Sequence, residues 1–248
     1  MNKEKMRGTG MALAVLLGCT CWLAGCGNGQ GEAVAAESAP SADKVEEPSA
    51  PSSFVEREFW LALAEEPGWH MNVARESFLD GRSRKASEEL EKVAAILNFE
   101  VRHSHSSKER GHLLGSIQEL REVAKNLRHE EDPGNGPVSL AELDRVSALA
   151  FRTLAAHQVT LARDALEAGD ARMAGRYIQE TVKAILRGFE LAEVDPGNAM
   201  ESRLQVADAV GERLVMDGDG SRELGLESLD HLDGSVEGLS NVLTSRRR

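Results

Sequence analysis

The sequence has little cysteine. Its three cysteines are Cys19, Cys21 and Cys26, and residues 27–248 contain none. A body without cysteine has no disulfide, no thiolate ligand for a metal and no cysteine nucleophile. Disulfide-stapled scaffolds, thiolate zinc sites and cysteine-dependent enzymes are therefore excluded for residues 27–248.

Aromatic residues are also scarce, at 4% of the 248 residues with a single tyrosine. A core poor in aromatics has to be filled by leucine, valine, isoleucine and alanine. Such a core suits packed helices better than a sandwich of β-strands. No segment shows the sustained alternation of apolar and polar residues that is typical of strands. Composition and pattern together predict an all-α protein.

Basic residues are outnumbered by acidic ones. The chain has 29 lysines and arginines against 41 aspartates and glutamates, which gives a formal net charge of −12 at pH 7. Loss of residues 1–25, which hold three basic residues and one acidic residue, would change the net charge to −14. A surface of this sign repels DNA, RNA and anionic headgroups. We therefore expect no nucleic-acid partner.

The N-terminal segment consists of three parts with different compositions. Residues 1–7 are basic, and residues 11–22 form an apolar stretch too short to span a bilayer. Residues 23–26 (Leu-Ala-Gly-Cys) follow and resemble the lipobox of bacterial lipoproteins. This resemblance implies removal of residues 1–25 as a signal peptide and attachment of lipid to Cys26. Several acyl chains hold a protein firmly on a membrane, so we expect a lipid-anchored protein that faces the periplasm.

Residues 26–52 predict a flexible linker that carries the anchor. They consist mainly of glycine, serine, alanine, proline and glutamate, with almost nothing to bury. Such a linker would hold the folded body away from the membrane. Gly27, rather than an aspartate, follows the cysteine, and in enteric bacteria this favours the outer membrane.

The rest of the chain has the periodicity of amphipathic helices. Serine capping boxes open predicted helices at Ser53 and Ser139, and the first helix is expected to break near Pro67. We predict an antiparallel bundle of six to seven helices, with a core over 53–198 and C-terminal helices over 199–248 docked on it. Apolar residues recur at intervals of three and four, as in Leu113, Ile117, Leu120, Ala124 and Leu127.

Two segments that lie 88 residues apart predict similar helical hairpins. Residues 74–86 (ARESFLDGRSRKA) align with residues 162–174 (ARDALEAGDARMA) and share alanine, arginine or glycine at five positions. Small residues let two helices approach closely, and glycine suits the turn between them. The pattern resembles a tetratricopeptide hairpin and the hairpins of the YfdX family of small helical bacterial proteins. This resemblance implies a helical fold only, and both internal duplication and convergence would explain the similarity.

Four histidines are candidates for a ligand or metal site. His157 lies on the apolar stripe of the longest predicted helix, where a buried imidazole needs a metal, a carboxylate or a carbonyl as partner. His70 precedes the first hairpin beside Trp69, which aligns with His157, so the two histidines could approach each other. His103 and His105 form an H-x-H pair of the kind that chelates zinc or copper. The simpler interpretations are satisfied core histidines and a solvated loop, and we expect no cofactor beyond the lipid.

No enzyme motif is present in the sequence. It lacks the G-x-S-x-G elbow, the P-loop and the glycine pattern of dinucleotide-binding proteins. We therefore predict a non-enzymatic interaction or scaffold protein of the cell envelope with a protein partner. The alternative is a periplasmic bundle that binds a metal or small ligand. That alternative requires His70 and His157 to lie within a few ångströms of each other or of a carboxylate.

Overall fold

A computed structural model describes residues 54–102, 104, 106–129, 137–217 and 222–245, with side chains from residue 66 onward. The predicted signal peptide and linker lie outside these ranges. The described residues are all-α, as predicted, and form seven helices without a strand. The helices are α1 Phe54–Leu79, α2 Ser83–Val101, α3 Ser107–Arg128, α4 Leu140–Glu167, α5 Ala171–Leu191, α6 Asn198–Asp217 and α7 Arg222–Ser245.

Helices that follow one another in the chain pack side by side. This holds for every consecutive pair from α1 and α2 to α6 and α7. In addition, α7 packs on α4 and α5, and α1 reaches the same two helices. Helices α4 and α5 therefore lie at the centre of the bundle, and the C-terminal helices pack against them.

The core is built from the apolar stripes of these helices. On α3, all five residues of the predicted stripe from Leu113 to Leu127 are buried. Complete burial of a leucine side chain contributes about 1.5–3 kcal/mol. The largest fully buried side chains are Leu90, Leu97, Leu113, Leu120, Leu127, Leu143, Ile178, Ile185, Leu204, Leu214, Leu229 and Leu232.

The two hairpins predicted from the repeat have the same backbone turn. Gly81 and Gly169 have φ values of 70° and 77°, a left-handed conformation that glycine adopts without steric cost. In both turns the residue after the glycine donates its N–H to the carbonyl five residues earlier, over 2.8 Å. This bond is typical of the Schellman motif, which ends helices with a left-handed glycine.

The prediction that the first helix breaks near Pro67 is wrong. Helix α1 continues through Pro67 from Phe54 to Leu79. A proline inside a helix removes one backbone hydrogen bond and crowds the preceding turn. Packing of α1 against α2, α4 and α5 offsets that local cost, because tertiary contacts contribute most of a helix's stability in a folded protein.

Candidate functional site

A cluster of ionisable side chains lies where α2, α3 and α4 meet. His157 comes from α4, Glu100 from the last turn of α2 and Glu109 from the first turn of α3. His157 is only 2% exposed and Glu100 only 6%. Nε2 of His157 lies 3.0 Å from Oε2 of Glu100, and Nδ1 is hydrogen bonded to Oε1 of Glu109. We name these residues, together with Ser104, the His157 cluster.

The start of α3 places Glu109 in this cluster. The Oγ of Ser106 caps α3 by accepting the backbone N–H of Glu109 over 3.0 Å, which fixes the first turn of the helix. The Oγ of Ser104 donates to Oε2 of Glu109 over 2.8 Å. Both carboxylate oxygens of Glu109 are therefore hydrogen bonded, and the partial positive charge at the start of α3 also favours a carboxylate there.

The cluster keeps His157 protonated at neutral pH. Burial by itself would lower the pKa of His157, but the hydrogen bonds to Glu100 and Glu109 and the charges of these carboxylates outweigh burial and raise that pKa to about 9. Burial and the charge of Glu100 also raise the pKa of Tyr177, on α5, to about 12. An imidazolium donates through both ring nitrogens and has no lone pair for a metal. The cluster is therefore an ionic link between three helices.

His70 has a different carboxylate partner. Its Nδ1 lies 2.6 Å from Oε2 of Glu89 on α2, and its Nε2 lies 3.7 Å from Glu66 one turn earlier on α1. Burial raises the pKa of Glu89, but hydrogen bonds from Lys92 and His70 outweigh burial and lower it. The contact between His70 and Glu89 therefore links the two helices of the first hairpin.

The histidines predicted as ligands are distributed as follows. His70 and His157 each lie within a few ångströms of a carboxylate, but of different ones. His103 and His105 lie outside the described residues. Within the described ranges, no group of three or more histidine, cysteine, aspartate or glutamate side chains is arranged to hold a metal ion. Metal binding by these histidines stays a prediction.

Sequence reasoning missed the carboxylates that hold His157. Glu109 had a detectable signal, because Ser106 and Glu109 have the spacing of a capping box. Glu100 had none, because it lies 57 residues from His157 in the chain and resembles any other glutamate near a helix end. Its position follows from the way α2 packs between its neighbours.

A groove with a volume of about 220 Å³ opens between α1, α4 and α5. Trp69 lines it and is 60% exposed, although its ring packs edge-on against His70 with the ring centroids 4.8 Å apart. Phe151 and Leu154 of α4 line the same groove. Gln158 also lines it and is 1% exposed, and its Oε1 accepts no hydrogen bond from any described residue. We name this surface the Trp69 groove.

Comparisons with known proteins place this chain in no family. No protein-family model, no curated protein and no solved structure matches it. Among the residues that the structure describes, no helix has both the length and the apolarity needed to cross a bilayer. The likenesses to lipoproteins and to helical hairpin families therefore depend on the sequence motifs alone.

Proposed function

We propose that this chain is a lipid-anchored, non-enzymatic interaction protein of the bacterial cell envelope. Three segments in the expected order support the anchor: basic residues 1–7, apolar residues 11–22 and the lipobox that ends at Cys26. Residues 26–52 have the composition of a linker that separates the anchor from the helical body. The protein would face the periplasm, and Gly27 favours the outer membrane.

The exposed indole of Trp69 is the observation that carries the interaction part of this proposal. A tryptophan that is 60% exposed leaves a large apolar surface in contact with water. Tryptophan is enriched at the energetic centres of protein interfaces, where it packs into the partner. Phe151 and Leu154 of α4 line the same groove, so an apolar side chain of a partner would meet apolar side chains of α1 and α4 there. The α5 wall of the groove is mostly charged, with Glu180, Lys183 and Arg187.

Gln158 indicates the second property of the partner. A buried polar atom without a hydrogen bond costs about 1–3 kcal/mol, and Oε1 of Gln158 is such an atom among the described residues. An N–H group that enters the groove and reaches this amide would remove that cost. An extended peptide segment supplies both an apolar side chain and backbone N–H groups, so we propose a protein partner that presents such a segment.

A second candidate function is the binding of a metal or small ligand by His70 and His157. The carboxylate next to each histidine supports it. However, a metal ion at His157 would have to displace a proton that is held with a pKa of about 9. It would also have to replace two carboxylate contacts of the same ring. Contact with the exposed Trp69 requires neither the displacement of a proton nor the loss of an ion pair, and we therefore give the protein partner priority.

Photo-crosslinking in cells tests the proposed contact surface. Benzoylphenylalanine replaces Trp69 in the full-length chain, and in a matched control it replaces Met216, which is 70% exposed on α6 and outside the groove. We expect a discrete protein adduct from position 69 and none of the same mass from position 216. Identical adducts from both positions, or no adduct from position 69, would contradict the proposal.

The same partner allows a quantitative measurement. Trp69→Ala should weaken its binding at least about tenfold, because truncation of a central interface tryptophan costs about 2 kcal/mol or more. Met216→Ala should change the dissociation constant less than about twofold, since scattered surface side chains contribute little. Equal effects of the two substitutions would show that the groove is not the binding surface.

A further inference from the structure

A second groove lies between α4 and α7 and shares no residue with the Trp69 groove. Its volume is about 170 Å³. We name it the Arg152 groove, after the residue that distinguishes it. Its lining consists of Arg145, Leu149 and Arg152 from α4 and Ser240, Leu243 and Thr244 from α7.

Arg152 differs from the paired arginines of the bundle. Arg75 donates from Nε and Nη2 to the two carboxylate oxygens of Asp144, over 2.8 and 3.3 Å, and Arg145 donates to Glu119 over 2.6 Å. Arg152 is half-buried, and within the described ranges its Nε has no acceptor. Burial lowers the pKa of Arg152. A buried guanidinium N–H without an acceptor is costly, which makes an anion a favourable neighbour.

Two basic side chains lie near Arg152, and one of them, Arg145, is already paired with Glu119. Arg145 lies two helical turns earlier on α4 and lines the same groove. His112 of α3 lies close to Arg152. Burial lowers the pKa of His112, and the positive charge of Arg152 lowers it further. The carbonyl end of α7 contributes an opposing partial charge of about half an electron. This half charge is smaller than the full positive charge of Arg152.

The other wall of the groove offers a hydroxyl. The proton of Thr244 Oγ1 is donated to the carbonyl of Ser240 over 2.8 Å, so this hydroxyl can only accept. Ser240 lines the groove too, and its hydroxyl rotates to donate to whatever lies there. The guanidinium of Arg152 and one hydroxyl donor match the acceptor oxygens of a small oxyanion.

We propose that the Arg152 groove binds a phosphate group. Guanidinium groups bind phosphate through several N–H groups at once, with hydrogen bonds about twice as strong as those between neutral groups. The phosphate would be free in solution or would be part of a phospholipid headgroup, since both present the same oxygens. This site is independent of the Trp69 groove, so the failure of either proposal leaves the other intact.

Phosphate binding by the full-length chain in detergent tests this inference. The measurement is broadening of the ³¹P resonance of inorganic phosphate at constant ionic strength, with chloride as the replacement anion. Arg152→Gln should raise the dissociation constant for phosphate at least about tenfold, because the variant loses one charge-assisted contact. Arg82→Gln is the matched control, because Arg82 has an exposed side chain in the α1–α2 turn, and it should leave phosphate binding unchanged.

The Tm of the protein gives a second readout that does not depend on the ³¹P resonance. Phosphate should raise the Tm of the unaltered chain and of Arg82→Gln, but not that of Arg152→Gln, because a ligand stabilises only the state that binds it. Equal broadening and equal Tm shifts in the two variants would overturn the proposal. The absence of any phosphate effect on the unaltered chain would overturn it as well.

Vesicles identify the source of the phosphate. A Cys26→Ser chain, which lacks the lipid, is mixed with phosphatidylglycerol vesicles or with phosphatidylcholine vesicles. Retention that depends on Arg152 supports the site and assigns it to a headgroup. A response to inorganic phosphate without retention on either vesicle supports the site and assigns it to free phosphate.

Discussion

Replacement of His157 by alanine should lower the free energy of unfolding by about 3–5 kcal/mol at pH 7, because it removes the imidazolium that faces the buried Glu100 and the partly buried Glu109. The two carboxylates lie on either side of the imidazole. Chemical denaturation followed by circular dichroism measures the change. His231 is exposed on α7, and His231→Ala, the matched control, should stay within about 0.5 kcal/mol of the unaltered protein.

A double variant separates the charge effect from the loss of packing. Glu109→Gln in the His157→Ala background removes one of the two facing negative charges and should recover part of the lost stability. The two residues are in direct contact, so their effects should be non-additive by about 0.5–3 kcal/mol. A His157→Ala loss under about 1 kcal/mol, or strictly additive effects, would show that the His157 cluster does not link the three helices.

The pH dependence of stability has a defined sign. The pKa of His157 is about 9 in the folded state and about 6.5 in an unfolded chain, so the folded state binds the proton more tightly. The stabilisation is therefore complete below pH 6.5 and is lost as the pH rises through 9. We expect the unaltered protein to lose about 3 kcal/mol from this group between pH 6.5 and 9.5.

Gly175→Ala should destabilise the protein by about 3 kcal/mol, at the upper end of the usual cost of overpacking. Gly175 lies where α5 crosses α6, and a Cβ atom there would be 2.5 Å from the carbonyl oxygen of Gly211 and 2.9 Å from the backbone nitrogen of Val215. Backbone atoms cannot rotate away as the end of a side chain can. The two helices would have to separate, and the contacts around the crossing would be lost.

Gly234 provides the matched control for this substitution. It is exposed on α7, and a Cβ atom there meets nothing within 4 Å. Gly234→Ala should therefore stabilise the protein by about 0.5–1 kcal/mol through helix propensity alone. The same substitution should thus have opposite signs at the two positions, as measured by thermal or chemical unfolding. Destabilisation of similar size at both positions would contradict the close crossing of α5 and α6.

The local structure of this protein could be predicted from its sequence, because it depends on neighbours in the chain. The stripe from Leu113 to Leu127 has the period of a helix, and it is buried. The glycines of the two aligned hairpins, Gly81 and Gly169, have the left-handed conformation that ends a helix. Ser139 caps α4 by accepting the N–H of Glu142. Pro67 was predicted wrongly because a local preference for a break is weaker than packing along a long helix.

The site depends on which helices meet, and periodicity does not contain that information. A helical pattern shows which face is buried, but it does not show that His157 lies between Glu100 and Glu109. For the same reason the sequence does not distinguish Trp69, which is 60% exposed, from a core aromatic. In the sequence, Gly175 looks like any glycine that weakens a helix. Only the structure shows that it contacts the backbone of α6.

Mass spectrometry of the mature protein, with membrane fractionation, tests the central claim that lipid on Cys26 holds this body at a membrane. The account predicts a mature chain that begins at Cys26, carries the mass of attached acyl groups and partitions with membranes. It also predicts that Cys26→Ser abolishes the lipid and releases the protein from membranes, since a single anchor site holds it. An unmodified Cys26, or equal membrane partitioning of the Cys26→Ser chain, would contradict the account.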